Sequence, residues 1–183
     1  VSSLGLTLIE LGKYEEAGKM HQRALEVRER VLGPEHPGTL HSINNLGLVL
    51  FRLGKKEEAE AILQRGLQFG KALGRENAYN LYNVNNLGSI SSRLGKQKNA
   101  EAMYRQALQA REKVLGPDHP DTLDSVSSLG FVLSGLGKYE EAEVMYRRAL
   151  QAREKVLGRE HPDTLNSANS LGLVISHLGK YKE

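Results

Sequence analysis

The chain contains no cysteine and no tryptophan, and seven tyrosines and three phenylalanines supply all of its aromatic side chains. The absence of cysteine excludes disulfide bonds and thiolate metal sites. No apolar run approaches the ~18 residues that span a bilayer. The net charge is +3 and acidic and basic residues alternate closely, so the sequence lacks the one-sided basic field that binds nucleic acid. We therefore expect neither a membrane nor a nucleic-acid partner.

The sequence also lacks the motifs of common catalytic and cofactor sites. It has no Gly-x-Ser-x-Gly elbow and no phosphate-binding glycine loop. His36, His119 and His161 recur in equivalent turns, but copies one helix pair apart are separated by ~10 Å or more, too far to share a metal ion. A role in capping helices explains them better. We predict a protein that is not an enzyme and has no metal and no cofactor.

What the sequence does contain is a repeat. LGKYEEA at 11–17 returns as LGKKEEA at 53–59, LGKQKNA at 94–100 and LGKYEEA at 136–142. Successive glycines of these segments, including one at 179, are 42, 41, 42 and 42 residues apart. Such a period indicates a supersecondary unit stacked on copies of itself. The predicted single array over 1–183 has a partial repeat at 1–38, complete repeats at 39–79, 80–121 and 122–163, and a partial repeat at 164–183.

Each repeat is predicted to contain two helices. In the repeat at 39–79, apolar residues from Ile43 to Leu53 have helical spacing, and Gly54 then ends the first helix. The second helix begins near Lys56 and is predicted to run to 72–73. Later first helices are predicted at 80–94, 122–136 and 164–178, and proline near a helix start is tolerated because its missing N–H would be unpaired.

These motifs, together with YRRAL at 146–150, resemble the tetratricopeptide repeat, whose ordinary form has 34 residues. The extension REKVLGPDHPDTL at 111–123 is similar to the longer kinesin-light-chain type, which also occurs in sensor ends of fungal and bacterial signal-transduction ATPase receptors. The resemblance implies an all-α fold, a right-handed α-solenoid of helix-turn-helix repeats. It also implies a cytoplasmic scaffold that binds a protein or peptide in its concave groove.

A second stripe of mainly polar residues lies on one face of each predicted first helix, apart from the leucines. In the family this face lines the groove, and Asn45 and Asn86 match asparagines that hold ligands in many members. An asparagine amide both donates and accepts, so a column of amides can pair with peptide backbone. The candidate groove residues are His41, Asn44, Asn45, Leu48, Arg52, Tyr82, Asn85, Asn86, Ser89, Arg93, Asp124, Ser127, Phe131, Asn166 and Asn169.

Other roles for the stripe stay open. Asparagine and serine also cap or bridge neighbouring helices. Arg52 and Arg93 give a preference for acidic ligand residues, unless both are merely solvated. Some family members bind two carboxylates with a clamp of lysine and arginine. That clamp is absent here, because the corresponding positions are Ser2, Asn44, His41 and Tyr82.

Two alternative functions compete with peptide binding. The first is an architectural or regulatory sensor segment within a larger nucleotide-binding receptor. RNA binding by helical repeats ranks below it, because the groove is too neutral.

Two places depart from a regular array. The repeat at 39–79 lacks one residue and places Gly66 and Gly70 within its second helix, where we expect weaker protection from hydrogen exchange. The incomplete terminal repeats are expected to expose apolar residues and to cause end-to-end self-association. Those residues are Val1, Leu4, Leu8 and Leu11 at the start, and Leu171, Val174, Ile175 and Leu178 at the end.

Overall fold

The computed structural model describes residues 13–70 and 78–179, and in the second range it describes side chains from Leu81 onward. These ranges form eight α-helices and no strand, which confirms the all-α fold. The helices are α1 (Tyr14–Leu32), α2 (Pro37–Arg52), α3 (Lys56–Gly70), α4 (Ala78–Arg93), α5 (Gln97–Leu115), α6 (Pro120–Gly135), α7 (Tyr139–Leu157) and α8 (Pro162–His177).

The even-numbered helices are the first helices of the repeats and the odd-numbered ones are the second helices. The chain divides into two compact units, Val1–Leu94 and Gly95–Glu183. Among the described helices, unit 1 contains α1 to α4 and unit 2 contains α5 to α8. Within each unit, helices that follow one another in the chain pack together.

Helices α2, α6 and α8 begin at a proline, two residues earlier than the sequence indicated for α6 and α8. The reason is the preceding histidine. His36 is extended, and its Nδ1 accepts a hydrogen bond from the N–H of Gly38 at 3.0 Å. His119 and His161 make the same cap at 3.2 Å. Each cap satisfies a donor that the helix cannot pair itself, which confirms the capping role.

The glycine after each first helix adopts the backbone conformation that ends the helix. Gly54, Gly95 and Gly137 have φ values of 79°, 76° and 75°. An L side chain in this left-handed region is strained, whereas glycine is not. The predicted helix stops are therefore confirmed, and they allow the next helix to begin within a few residues.

The apolar stripes of the helices form the core of each unit. In unit 1, Ile43, Leu46 and Val49 of α2 are buried, as are Ala59 and Leu63 of α3. In unit 2 the buried cluster includes two tyrosines, Tyr104 and Tyr146. These assignments agree with the helical periodicity of the sequence.

A glycine in the first helix lets the second helix approach closely. An ideal Cβ on Gly47 would lie 2.7 Å from Leu63, and one on Gly130 would lie 3.1 Å from the ring of Tyr146. The equivalent Gly172 of α8 has no atom within 4 Å of such a Cβ. No described helix packs on that face of α8.

The expected exposure of the α8 apolar residues is also wrong. Leu171 and Val174 are buried in the unit 2 core, and Ile175 and Leu178 pack against that core. The leucine stripe of a first helix already packs on the preceding second helix, here α7. The exposed apolar residues of α8 are instead Leu165 and Leu173. The predicted residues near the start of the chain, and the end of the second helix at 72–73, lie outside the described residues.

His21 occupies a buried position in α1, with 2% of its surface exposed. Equivalent positions hold Tyr104 and Tyr146 in unit 2. Burial lowers the pKa of His21 from its ordinary value of 6.5, and the nearby His41 and Arg28 lower it further. The folded chain therefore favours a neutral imidazole at this position.

We predict that Gly47→Ala destabilises the chain by about 1–3 kcal/mol, because the added methyl group overlaps the completely buried side chain of Leu63. Gly172→Ala is the matched control, and it should stabilise the chain by up to about 1 kcal/mol through helix propensity. Urea unfolding measures both. Equal effects of the two substitutions would show that close packing at Gly47 is unimportant.

We also predict that His21→Tyr removes part of the acid sensitivity of the fold. The folded pKa of His21 is lowered, so the unfolded chain binds more protons as the pH falls below 6.5, and stability drops there. Urea midpoints at pH 7.5 and about pH 5.5 should therefore differ more in the parent chain than in the variant. If the urea midpoints of the parent chain and of His21→Tyr fall by the same amount between the two pH values, His21 does not contribute to the pH dependence.

Candidate functional site

A cavity of about 140 Å³ lies in unit 1 between α2 and α4, which are both first helices. Helical spacing positions its side chains, since three- and four-residue steps place them on one face of each helix. Five of the candidate groove residues meet there. The lining residues are Leu48, Phe51, Arg52, Asn86, Ser89, Ile90 and Arg93.

The cavity contains two cationic side chains that pair with no acidic side chain among residues 13–70 and 78–179. The Arg93 guanidinium lies over the Phe51 ring, 5.0 Å from its centroid, in a cation–π contact. Neither Arg52 nor Arg93 makes an ion pair or a hydrogen bond with any described residue. The site can therefore attract an acidic group without first breaking an internal pair.

Several basic side chains of unit 2 are paired with carboxylates. In unit 2, Glu101 accepts hydrogen bonds from Lys138 at 2.7 Å and from Arg105 at 2.8 Å. Arg105 also binds Glu141 at 2.7 Å. The hydrogen bond from Lys138, followed by that from Arg105, lowers the pKa of Glu101. This network joins helices of the scaffold, unlike the unpaired arginines of the cavity.

Three candidate residues lie together at the start of the α2 stripe. The amide nitrogen of Asn45 is 3.1 Å from Nε2 of His41, and a neutral imidazole can accept that hydrogen bond. Burial, and then Arg28, lower the pKa of His41 and favour this neutral form. Asn44 is 7% exposed, so its amide has little contact with solvent. On α4, Tyr82 is 47% exposed and Asn85 is half-buried.

In unit 2, four of the five candidate residues of α6 and α8 are exposed, and Ser127 is half-buried. Phe131 is 64% exposed, and Asn166 and Asn169 are exposed on α8. Asp124 is bound to Nη2 of Arg153 at 2.7 Å. The charge of Asp124 is thus paired, and Phe131, Asn166 and Asn169 are uncharged.

A buried or half-buried arginine near the end of the second helices was missed by the sequence analysis. Arg28 on α1 donates from Nη1 to Ser42 Oγ at 2.6 Å and to the main-chain oxygen of Gly38 at 3.0 Å. Arg111 on α5 makes the same contact with Ser125 Oγ at 2.8 Å. We call this contact, between an arginine and a serine fourteen residues later, the arginine–serine bridge. The fourteen-residue spacing of arginine and serine recurs in the sequence, and this recurrence could have predicted the contact.

Arg153 on α7 makes the third arginine–serine bridge and also contacts α6. It donates to Ser167 Oγ of α8 at 2.8 Å and to Ser127 Oγ of α6 at 3.0 Å, in addition to its pair with Asp124. Two of the candidate groove residues therefore also help to fix the positions of the helices. This agrees with the bridging role that small polar residues often have.

The part of the chain described by the structure contains neither a metal-site cluster nor a membrane-spanning helix. No cluster of three or more histidine, aspartate or glutamate side chains there has the arrangement of a metal site. None of the helices found at 13–70 and 78–179 is both long and apolar enough to cross a bilayer.

Comparisons with known proteins agree with this architecture. The family described as Tetratricopeptide repeat matches residues 2–72, 77–155 and 125–183. A comparison with curated proteins finds no match.

Two crystal structures share the fold. A Podosopora anserina protein, described as a kinesin light chain with nearly identical TPR-like repeats, is 23% identical with a TM-score of 0.85, over 97% of this chain and 85% of that chain. BtubC (BKLC) from P. vanneervenii is 24% identical with a TM-score of 0.89, over 99% of this chain and 72% of that chain. The expected resemblance to kinesin-light-chain-like repeats is thus confirmed for the fold. The chain belongs to the tetratricopeptide repeat family, whose members generally act as protein–protein interaction scaffolds and are typically not enzymes.

Proposed function

We propose that the chain binds an extended segment of a partner protein along its first helices, and that it acts by presenting this surface rather than by chemistry. The observation that supports this most is the cavity between α2 and α4, whose two arginines pair with no anion in the described part of the chain. Maintaining unpaired cations beside an aromatic ring is useful for recognising a ligand and adds little to stability.

The charge of the cavity favours a partner segment that contains an acidic side chain. Arginine binds a carboxylate through two parallel hydrogen bonds, and a partly enclosed site screens such a pair less than open solvent does. The contact of Arg93 with Phe51 limits the number of guanidinium orientations, so less entropy is lost on binding.

The amides supply contacts that do not depend on ligand sequence. Asn86 lines the cavity on α4, and Asn45 occupies the equivalent position on α2. Each amide can donate to a peptide carbonyl and accept from a peptide N–H. Such pairing suits an extended segment, whose backbone groups are otherwise unsatisfied.

The alternative is an architectural or regulatory sensor segment whose contacts are with other parts of its own protein. Arg52 and Arg93, which pair with no described anion, favour the peptide proposal. Screening a random peptide library separates the two, because a peptide-binding groove should select discrete linear sequences and a purely architectural segment should select none. A cytoplasmic location is part of this proposal and is supported by the family resemblance. The mixed surface charge favours protein over nucleic acid as the partner.

We predict that Asn45→Ala combined with Asn86→Ala weakens binding of a library-selected peptide by about 10- to 100-fold, because two peptide hydrogen bonds are lost. The melting temperature should change little, since both side chains are only half-buried. Fluorescence anisotropy measures the affinity and calorimetry the melting temperature.

The matched control for the amide variant is Gln64→Ala with Gln68→Ala, which removes two exposed amides from the second helix α3. This control should bind as the parent chain does. A fall of several degrees in melting temperature for the asparagine variant would show that these amides hold the helices together instead.

We further predict that Arg52→Gln with Arg93→Gln reduces the affinity for acidic peptides by about tenfold and flattens its dependence on salt, because two exposed cations are lost. Arg93→Lys should retain the salt dependence but lose part of the affinity, since lysine forms no planar fork. An unchanged salt dependence in the double variant would place the acidic contact elsewhere.

A further inference from the structure

Among the described helices, the arginine–serine bridge ties three of the four second helices to the first helix that follows. It joins α1 to α2, α5 to α6 and α7 to α8. In each case a buried or half-buried guanidinium crosses from one helix to the next and binds a side-chain hydroxyl near the start of that helix. A charge-assisted hydrogen bond of this kind is among the stronger ones in proteins.

The α3–α4 junction has neither partner of the bridge. The arginine position is Gly70, and the serine position is Asn83. Asn83 is completely buried, and neither its amide nitrogen nor its amide oxygen has a hydrogen-bond partner in the structure. This junction thus lacks the bridge, and it also contains a buried polar group that is unsatisfied.

The steric environment shows that Gly66 is matched to Asn83. An ideal Cβ on Gly66 would lie 2.6 Å from Nδ2 of Asn83 and 2.7 Å from Ile43. Equivalent positions in the other repeats hold Ala24, Ala107 and Ala149, each together with an arginine and a serine. Gly66, Gly70 and Asn83 therefore replace alanine, arginine and serine at one and the same junction. Asparagine is larger than serine, and it fits because Gly66 lacks the methyl group of alanine.

We propose that the α3–α4 junction is a built-in opening point, at which α4 separates from α3 more readily than the bridged helix pairs separate. Helix α4 supplies Asn86, Ser89 and Arg93 to the cavity it forms with α2. Opening at this junction therefore changes the shape of that cavity, and it gives the binding surface a range of conformations. Only this consequence rests on the proposed function, because the opening itself requires no ligand.

Native-state hydrogen exchange of the full chain, followed by mass spectrometry, tests the proposal. Amides of residues 81–87 in α4 should exchange at least about tenfold faster than the equivalent amides of residues 123–129 in α6. Gly70→Arg combined with Asn83→Ser restores both partners of the bridge, and it should slow the exchange of 81–87 by a similar factor.

The reciprocal variant tests the same junction chemistry in unit 2. Arg111→Gly combined with Ser125→Asn removes the bridge between α5 and α6, and it should accelerate exchange at 123–129 while leaving 81–87 unchanged. This unit 2 variant tests the proposal even if Gly70→Arg with Asn83→Ser does not fold. Equal protection of the two segments in the parent chain, or no acceleration in the reciprocal variant, would overturn the proposal. Neither measurement uses a peptide, so a failed peptide screen would affect only the proposed function.

Discussion

The burial of each first helix against its neighbouring second helices is the constraint on which the rest of the structure depends. An isolated pair of helices leaves much of its apolar stripe in water, so a repeat becomes stable only beside another repeat. Within unit 1 the stripe of α2 packs on α1 and α3, and Gly47 allows the body of Leu63 to lie directly against the backbone. Because the second helices pack on the apolar stripe, another face of the first helix can carry polar residues.

That remaining face explains why the candidate site lies on the first helices. It is not needed for the core, so it can hold arginine, asparagine and exposed phenylalanine without loss of packing. In unit 1 this freedom produces a small basic and aromatic cavity, whereas in unit 2 Arg153 joins Asp124 and the exposed residues are neutral or apolar. The repeats thus share a scaffold and differ in the chemistry they present.

Polar groups inside the scaffold have a different role from those on the groove face. The histidine caps begin three of the described first helices at a defined residue, and the arginine–serine bridges fix the following helix to the one before it. Both kinds of contact satisfy polar groups that burial would otherwise leave unpaired. Where the bridge is missing, at Gly70 and Asn83, the packing adapts but the amide is left unsatisfied.

The sequence by itself determined the helices, their glycine stops, the period of the repeat and the family. These are local properties, since a left-handed glycine or a leucine stripe is visible within one turn or one repeat. Only the tertiary structure decided which arginines are paired, because Arg52 and Arg153 differ in partners that lie on other helices. It also decided that Leu171 and Val174 are buried, and that Gly66 makes room for Asn83. These facts depend on distances between side chains far apart in the chain, which periodicity does not specify.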